Sequence, residues 1–470
     1  MKEVKEYMTE DFLLDNEISK FLFHKVAKSL PIIDFHNHID PKVLVGDTMF
    51  DNIAQLWITG DPYKHRAMRI NGIDEFRITG SASDKDKFLA WAETFPKTIG
   101  NPLFHWSSLE MKRVFGIDTM LTRDSAEDIW NQCNEALQKN EYSANGIMSR
   151  WNIEAICTSD DWFDDVSIHK KATENAEFNV FPSLRADKAT EIELWNSNNF
   201  LDRLSNCTNQ SIENLDELKL ALTKRLQHFS DKGCKLSDHA LNNDFSFRSC
   251  SLARAENLFY KILEGFELKA KDHRYFKSFL LTFLAGEYHR LGWTMQLHVG
   301  AQRKTSSRLR ELAGSAGGYA AMGNGANIKS LCLLLNSLEK NSALPETILY
   351  NLNPIDNAAF ATLTGSFAED GIVGKIQFGP AWWYNDHFTG IRDQLLAVSN
   401  YGLLSRFIGM TTDSRSILSF SRHEYFRRIL CNLIGEWVMK GHIPFDEELL
   451  KQLIIDITYT NSKNKILNGK

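Results

Sequence analysis

A repeated local pattern limits what this chain can fold into more than any other feature: a helical stretch ends near a glycine, and a short apolar run follows it. The three clearest cases are 216–232 before Gly233, 276–291 before Gly292, and 391–401 before Gly402. Glycine adopts the left-handed conformation that ends many helices. Each unit therefore predicts a helix followed by a buried strand.

Counting every such apolar run gives eight predicted strands. They cover residues 31–38, 153–160, 178–185, 235–239, 294–300, 346–353, 376–383 and 406–413. Strands that alternate with helices pair in parallel, and eight such units can close into a (β/α)8 TIM-like barrel. A doubly wound open sheet is the alternative, but no G-x-G-x-x-G motif follows the first predicted strand. We therefore predict an α/β barrel.

The connection between the first two predicted strands is too long for an ordinary crossover. Residues 39–152 have helical patterns and are rich in tryptophan. We predict that they form a helical insertion packed at the barrel mouth, and that residues 1–470 form a single barrel domain.

The composition limits which binding partners and which cellular compartment we expect for this protein. The chain has 470 residues and a formal net charge of -6 without a basic stripe, which argues against nucleic-acid binding. Its seven cysteines are widely spaced and include no C-x-x-C, so we expect reduced thiols in a cytoplasmic protein. The N-terminus lacks the apolar core of a signal peptide, and the most apolar stretch, 276–285, is too short to span a membrane.

Ionisable residues collect where the predicted strands end, the face on which barrels build their active sites. His36 and His38 are two residues apart on the first strand, so both side chains point the same way, and Asp34 shares their parity. Two imidazoles on one face can bind a divalent metal. An H-x-H pair alone is a weak signal, and two hydrogen-bonded structural histidines are the alternative.

His298 ends the fifth predicted strand and Asp413 ends the eighth. Neutral nitrogen and anionic oxygen ligands brought to one point suit zinc or a similar ion. The alternatives are a core histidine at 298 and a helix N-cap at 413. Lys235 opens the fourth strand instead of closing it, which favours one metal over two.

Further side chains near these ends suit a negatively charged sugar. Arg185 and Arg415 carry guanidinium groups that match a carboxylate, with surface salt bridges as the alternative. Tyr63 and His65 lie at the start of the insertion, where a phenol can donate to a substrate oxygen or simply pack. Trp382 and Trp383 end the seventh strand, and an indole suits either a sugar ring or the core.

Long stretches of the chain resemble the uronate isomerases (glucuronate isomerases), a branch of the amidohydrolase superfamily. The matching stretches are MTEDFLLD (8–15), DFHNH (34–38), GDPYKHRAMR (60–69), TIGNPLFHW (98–106), HFSDKGCKLSDHAL (228–241), QLHVGA (296–301), LLSRFIGMTTDSRS (403–416) and RHEYFRRILC (422–431). The resemblance implies a distorted (β/α)8 barrel that converts D-glucuronate to D-fructuronate and D-galacturonate to D-tagaturonate.

The resemblance also implies roles for particular residues. His36 and His38 match the metal-binding pair, and zinc is the expected divalent metal. Asp413 matches the carboxylate that contacts this metal and takes part in proton transfer. The positions that hold and polarise the hexuronate substrate are matched by Tyr63, Arg185, His298 and Arg415. We expect the reaction to run through an ene-diol, with Asp413 as the base at C2.

Two hypotheses from other classes stay open at this point. One is a metal-dependent hydrolase, such as a deaminase or lactonase, in which a metal-activated water attacks carbon. The other is a sugar-acid-binding protein without catalysis. The sequence leaves a homo-oligomer open beside a monomer.

Overall fold

A computed structural model of the protein describes residues 6–467, in which short parallel strands alternate with helices. The strands are β1 (Ile32–Asp34), β2 (Ile153–Cys157), β3 (Asp160–Asp161), β4 (Asn179–Phe181), β5 (Leu184–Arg185), β6 (Leu236–Leu241), β7 (Thr294–Val299), β8 (Ala301–Gln302), β9 (Ala321–Met322), β10 (Thr347–Asn351) and β11 (Ile376–Phe378). Except for β8 and β9, which form a small antiparallel ribbon, these strands pair in parallel.

The helices account for most of the remaining chain. They are α1 (Glu17–Phe21), α2 (Pro41–Val45), α3 (Ile53–Trp57), α4 (Pro62–Ile70), α5 (Asp84–Thr94), α6 (Pro102–Glu110), α7 (Ala126–Leu137), α8 (Ala144–Met148), α9 (Ile168–Ala176), α10 (Asp187–Thr190), α11 (Phe200–Thr208), α12 (Leu215–Asp231), α13 (Leu252–Leu263), α14 (Ala270–Leu291), α15 (Ser307–Ala313), α16 (Ile328–Lys340), α17 (Asn357–Ser366), α18 (Phe388–Tyr401), α19 (Ser421–Met439) and α20 (Glu447–Ile455).

The strands follow one another around a barrel in sequence order. One run of pairs is β1-β2-β4, and the other is β11-β10-β7-β6-β5-β3. Irregular backbone divides two barrel strands into the pairs β2/β3 and β4/β5. Two hydrogen bonds carry the ladder across these breaks, from Thr158 N–H to Phe181 O (3.0 Å) and from Asp160 N–H to Ser183 O (2.8 Å). The predicted distorted α/β barrel is confirmed.

The eighth predicted strand, 406–413, is wrong as a strand, although the segment occupies the expected place beside β1. Asp413 N–H donates to His36 O (3.0 Å), and His38 N–H donates to Ser414 O (2.9 Å). Gly409 has a left-handed φ of 94°, and a Cβ there would lie 2.4 Å from the Ile457 carbonyl oxygen. This close approach bends the segment away from regular pairing.

A buried carboxylate fastens this irregular segment to β1. Asp34 is fully buried and accepts hydrogen bonds from Thr412 N–H (2.9 Å), from the Thr412 hydroxyl (2.6 Å) and from the Thr411 hydroxyl. The Thr411 oxygen also accepts from His36 N–H (2.8 Å). The backbone that carries His36 is therefore held by side chains from the far end of the chain.

We expect Thr411→Val to lower the free energy of unfolding by about 1–3 kcal/mol, because it leaves a buried carboxylate and a buried N–H short of a partner. Valine keeps the shape of threonine, so packing changes little. Urea unfolding measures the loss. The matched control is Thr362→Val, since that hydroxyl is exposed on α17, and it should cost about 0.5 kcal/mol or less. Equal stability losses in the two variants would contradict this role.

The predicted helix ends agree with the structure at two of the three glycines. Gly233 and Gly292 have φ values of 90° and 69° and lie just after α12 and α14. Gly402 ends α18 in an extended conformation instead, with φ -133°. A positive φ is therefore needed at the first two ends only.

Residues 39–152 contain α2 to α8 and none of the strands. Three of their tryptophans are buried, namely Trp57, Trp91 and Trp106. The insertion also contacts the loop that follows β8, because Arg66 of α4 donates to Ala320 O (3.0 Å). Within the described residues, no helix is both long and apolar enough to cross a membrane.

Candidate functional site

Three ionisable side chains from opposite ends of the chain meet at the carboxyl ends of the strands. Nε2 of His36 and Nε2 of His38 lie 3.3 Å and 3.0 Å from the same oxygen, Oδ1 of Asp413. Both histidines follow β1, and Asp413 ends the segment beside it. These residues, which the sequence separates by more than three hundred positions, form one cluster.

Local backbone geometry directs the Asp413 carboxylate into this cluster. Asp413 has a left-handed φ of 47°, and Trp383, across the cavity wall, has a φ of 56°. Residues other than glycine adopt such angles at an energetic cost that the surrounding structure must offset. Asp413 is not an N-cap, because Ser416 caps the short helical turn Ile417–Phe420.

The Asp413 carboxylate is stabilised in its ionised form. Burial by itself raises the pKa of Asp413, but hydrogen bonds from His36 and His38 outweigh it and hold the pKa well below its usual range. Its other oxygen accepts from Trp382 Nε1 at 2.8 Å. Burial lowers the pKa of His38 to about 4, so this imidazole is neutral at physiological pH.

A second acid–imidazole pair stands beside the first cluster. His298 Nδ1 lies 2.6 Å from Asp238 Oδ1, which fixes the ring, and the ring stacks on Tyr350 at a centroid distance of 4.2 Å. The His298 and His36 rings are 4.8 Å apart. His298 Nε2 is buried without a hydrogen-bond partner among the described residues. His298 is thus oriented, with one nitrogen available toward the cluster.

The donor set fits a divalent metal. The ligand atoms of His36, His38 and Asp413 lie within 4.8 Å of one another, and so do those of His36, Asp238 and His298. Zinc takes tetrahedral ligands at about 2.0–2.1 Å, which places neighbouring ligand atoms about 3.4 Å apart. The observed 3.0 Å and 3.3 Å separations match that spacing. His298 Nε2, beside this ligand set, is buried without a partner, as expected near a cation site.

A cavity opens onto this cluster. Aromatic and small residues form much of its wall, and it is lined by His36, His298, Tyr350, Pro380, Ala381, Trp382, Trp383, Asp386, Thr411, Thr412 and Asp413. A mostly apolar cavity with a few convergent polar groups is the usual form of a small-molecule site.

The negative charge of Asp413 affects the pKa values of Tyr63 and Arg185. Burial raises the pKa of Tyr63 well above its usual value, and the negative charge of Asp413 adds to the rise. The phenol is therefore protonated. Burial alone would lower the pKa of Arg185, but Asp187 and Asp238 outweigh it and raise the pKa.

The remaining residues singled out in the sequence lie in different surroundings. Trp383 lines the cavity and stacks on Tyr384 at 5.1 Å. Arg415 is exposed and makes no hydrogen bond or ion pair within residues 6–467. His65 is buried two residues from Tyr63 on α4, and it contacts the Ile58 backbone. Residues two apart on a helix face nearly opposite sides, so His65 points away from Tyr63.

The sequence reasoning missed two acidic residues that shape the site, Asp238 and Asp386, and it noted Trp382 without its role as a hydrogen-bond donor. Asp238 lies within the buried strand β6, where a carboxylate was a usable signal, whereas nothing local marks Trp382 as a donor to Asp413. Asp386 lines the cavity, and burial raises its pKa to about 7. Its partner is Arg422, at 3.4 Å.

Comparison with known sequences gives a consistent result over nearly the whole chain. The family model described as glucuronate isomerase matches residues 4–465. A uronate isomerase from Caldicellulosiruptor bescii is 46% identical over 462 residues, which is 98% of this chain and 99% of that protein. A uronate isomerase from Oceanobacillus iheyensis is 43% identical over 461 residues, 98% of both chains.

Comparison with solved structures also finds isomerases of similar fold. A uronate isomerase from Thermotoga maritima superposes with a TM-score of 0.92 at 31% identity, covering 98% of this chain and 100% of the other. A glucuronate isomerase from Caulobacter crescentus gives a TM-score of 0.90 at 23% identity, covering 98% of this chain and 97% of the other, a likeness of fold.

Proposed function

The chain belongs to the glucuronate isomerase family and its activity is uronate isomerisation; we propose that the cavity at Asp413 is the active site. The substrates are D-glucuronate and D-galacturonate, and the products are D-fructuronate and D-tagaturonate. The observation that carries this proposal is the meeting of His36, His38 and Asp413 in one cavity beside the oriented His298.

Isomerisation moves the carbonyl from C1 to C2 of the open-chain hexuronate. A proton leaves C2, an ene-diol forms, and a proton returns at C1. Asp413 is the base at C2, because its ionised carboxylate lies at the cavity wall. A carboxylate of low pKa is a weak base, so the reaction depends on strong stabilisation of the developing oxyanion.

Tyr63 serves the C1 side. Its phenol is protonated, and the charge of Asp413 helps to keep it so. It can therefore donate a proton on the C1 side, away from the base at C2. The His298 imidazole, held by Asp238, presents its free Nε2 to a substrate oxygen. Arg185 stabilises negative charge on the substrate, since it retains its own charge when buried.

The outer residues have smaller roles in this proposal. The face of Trp383 packs against the sugar carbons. Arg415 acts from the exposed rim, where it attracts the anionic substrate. The ring of His65 faces away from Tyr63. We therefore assign His65 an indirect role in substrate binding, in which its contact with the Ile58 backbone helps to hold α4 in position.

Zinc is the metal that we propose for the His36, His38 and Asp413 ligand set. When bound, it acts as a Lewis acid toward substrate oxygens. A neutral His38 is the form that binds a metal. The proposal includes a single barrel domain over residues 1–470. Within it, residues 39–152 cover the barrel mouth. The free cysteines suit the cytoplasm.

We expect His38→Asn to lower the bound-metal stoichiometry of the purified protein from about one zinc per chain to well below half, because one of three ligands is lost. Elemental analysis after dialysis measures this without any assay of activity. The control is His442→Asn, an exposed histidine beyond α19. Unchanged metal content in His38→Asn would contradict the ligand assignment.

Turnover of candidate substrates tests the proposed function itself. The purified protein should convert glucuronate and galacturonate to ketoses, detected by NMR, and should leave sugar lactones unhydrolysed. Lactone hydrolysis without ketose formation would favour a metal-dependent hydrolase instead.

A further inference from the structure

One buried arginine contacts three separate parts of the chain around the cavity. Arg422 is the second residue of α19 and is 2% exposed. Its Nη1 donates to the Thr412 carbonyl oxygen at 3.2 Å and lies 3.4 Å from an oxygen of Asp386. Thr412 directly precedes Asp413, and Asp386 lines the cavity. Arg422 therefore joins the segment that carries the proposed base to the chain that follows β11.

The same guanidinium group contacts the helical insertion, residues 39–152. Its Cζ lies 3.9 Å from the centre of the Trp106 ring of α6 and 5.2 Å from the centre of the Tyr63 ring of α4. These two rings meet edge to face, with their centres 5.6 Å apart. An arginine cation is attracted to aromatic rings, most strongly to tryptophan and away from water. Arg422 therefore helps to hold the Tyr63 ring in place.

Arg422 keeps its charge in spite of its burial. Burial lowers the pKa of Arg422, but the negative charge of Asp386 and of other acidic groups outweighs burial and raises it. This positive charge also acts on Tyr63. Burial raises the pKa of the Tyr63 phenol well above its usual value, and the charge of Arg422 opposes that rise. The arginine thus influences the phenol electrostatically as well as through packing.

Hydrogen bonding alone does not explain why a guanidinium group lies here. Nε of Arg422 is buried without a partner within residues 6–467, and the two acceptors of Nη1 lie at 3.2 Å and 3.4 Å. Arg428, another buried arginine of α19, donates at 2.8 Å to the carbonyl oxygens of both Glu10 and Phe12. A buried N–H without an acceptor costs free energy. Departures of this kind are expected where a side chain serves function.

We propose that Arg422 is a positioning residue, which holds the Tyr63 phenol of the insertion at a fixed place relative to the barrel segment that carries Asp413. This inference rests on the proposed function and deepens it. The proposed acid lies on α4 and the proposed base lies beside β1, so no shared helix or strand sets their separation. Proton transfer requires hydrogen-bond reach, and a displacement of about 1 Å can lower the rate by about 100-fold.

The test is a double-mutant cycle of Arg422→Lys and Tyr63→Phe, measured by steady-state kinetics on D-glucuronate. Lysine keeps the charge but lacks the flat group that packs on the rings, so we expect kcat to fall by about tenfold with KM changed less than about threefold. In the Tyr63→Phe enzyme, which has no hydroxyl to position, Arg422→Lys should lower kcat by less than about twofold. Equal losses in the two backgrounds would overturn the inference, because Arg422 would then act independently of the Tyr63 hydroxyl.

The matched control is Arg428→Lys. Arg428 is fully buried on the same helix, and its guanidinium carbon lies 4.1 Å from the centre of the Phe23 ring. The change should lower the melting temperature but leave kcat and KM of the folded enzyme unaltered. A loss of kcat equal to that of Arg422→Lys would overturn the inference, since it would indicate a general loosening of α19. Should Arg422→Lys fail to fold, Trp106→Phe, which shrinks the ring between Arg422 and Tyr63, replaces it in the cycle with the same two outcomes.

The failure of this inference can be told apart from failure of the proposed function. Normal kcat in Arg422→Lys, or in Tyr63→Phe, would overturn the positioning role while isomerase activity remained. Failure of the unaltered enzyme to isomerise any uronate would overturn the proposed function instead.

Discussion

Asp413→Asn is expected to lower kcat/KM for D-glucuronate by about 10³- to 10⁴-fold, the upper part of the range over which a positioned general base acts. Asparagine has nearly the same shape as aspartate, and its amide oxygen can still accept from Trp382 Nε1. It cannot take a proton from C2. Because Asp413 is also a proposed zinc ligand, the variant is assayed with zinc in excess, and most of the loss should then appear in kcat.

The fold should survive this change. The hydrogen bonds that fasten the segment to β1 come from Asp413 N–H and from Thr411 and Thr412, and the substitution leaves all of them intact. The melting temperature should fall by no more than a few degrees. Asp393→Asn, an exposed carboxylate on α18, is the matched control and should retain full activity. Asp413→Asn with more than a tenth of normal kcat would contradict the assignment.

Tyr63→Phe is expected to lower kcat by about 10²- to 10³-fold, the effect of losing a positioned acid. The ring contacts should persist, since Trp106 lies edge-on at 5.6 Å and the Arg422 guanidinium lies 5.2 Å from the Tyr63 ring centre. The Tyr63 hydroxyl makes no hydrogen bond that would be lost with another described side chain. Stability should accordingly change by about 0.5 kcal/mol or less.

This separation of activity from stability makes the Tyr63 experiment informative. Steady-state kinetics and thermal melting measure the two quantities on one preparation. Tyr401→Phe, an exposed tyrosine at the end of α18, controls for loss of a hydroxyl and should leave both unaltered. A Tyr63→Phe enzyme with normal kcat would show that another group delivers the proton at C1.

Much of the architecture was predictable because it depends on local signals. Seven of the eight predicted strands contain observed β-structure. A short apolar run that follows a helix-ending glycine is typical of a buried strand. The eighth failed for a reason that is not local. Gly409 approaches the Ile457 carbonyl closely, and that contact depends on the packing of the C-terminal helices.

The central cluster was also predictable, since His36, His38 and Asp413 follow or end predicted strands whose carboxyl ends a barrel brings together. The supporting residues were harder to find. Asp238 orients His298 from a neighbouring strand, and Trp382 donates across the cavity to Asp413. Such pairings depend on side-chain directions that spacing along the sequence does not encode.

Helical phase separates two candidate residues that lie close together in sequence. His65 was grouped with Tyr63 because both lie in the stretch 60–69. Because α4 turns about 100° per residue, the two side chains diverge, and the negative charge of Asp413 contributes to the raised pKa of Tyr63.

Hydrogen exchange at C2 of the substrate tests the central claim most directly. In D2O, proton NMR of D-glucuronate with the unaltered enzyme should show loss of the C2 proton signal together with formation of ketose. With Asp413→Asn at the same concentration, the C2 proton should persist over the same period. Undiminished exchange in Asp413→Asn would contradict the account, because the proton would then leave C2 without the Asp413 carboxylate.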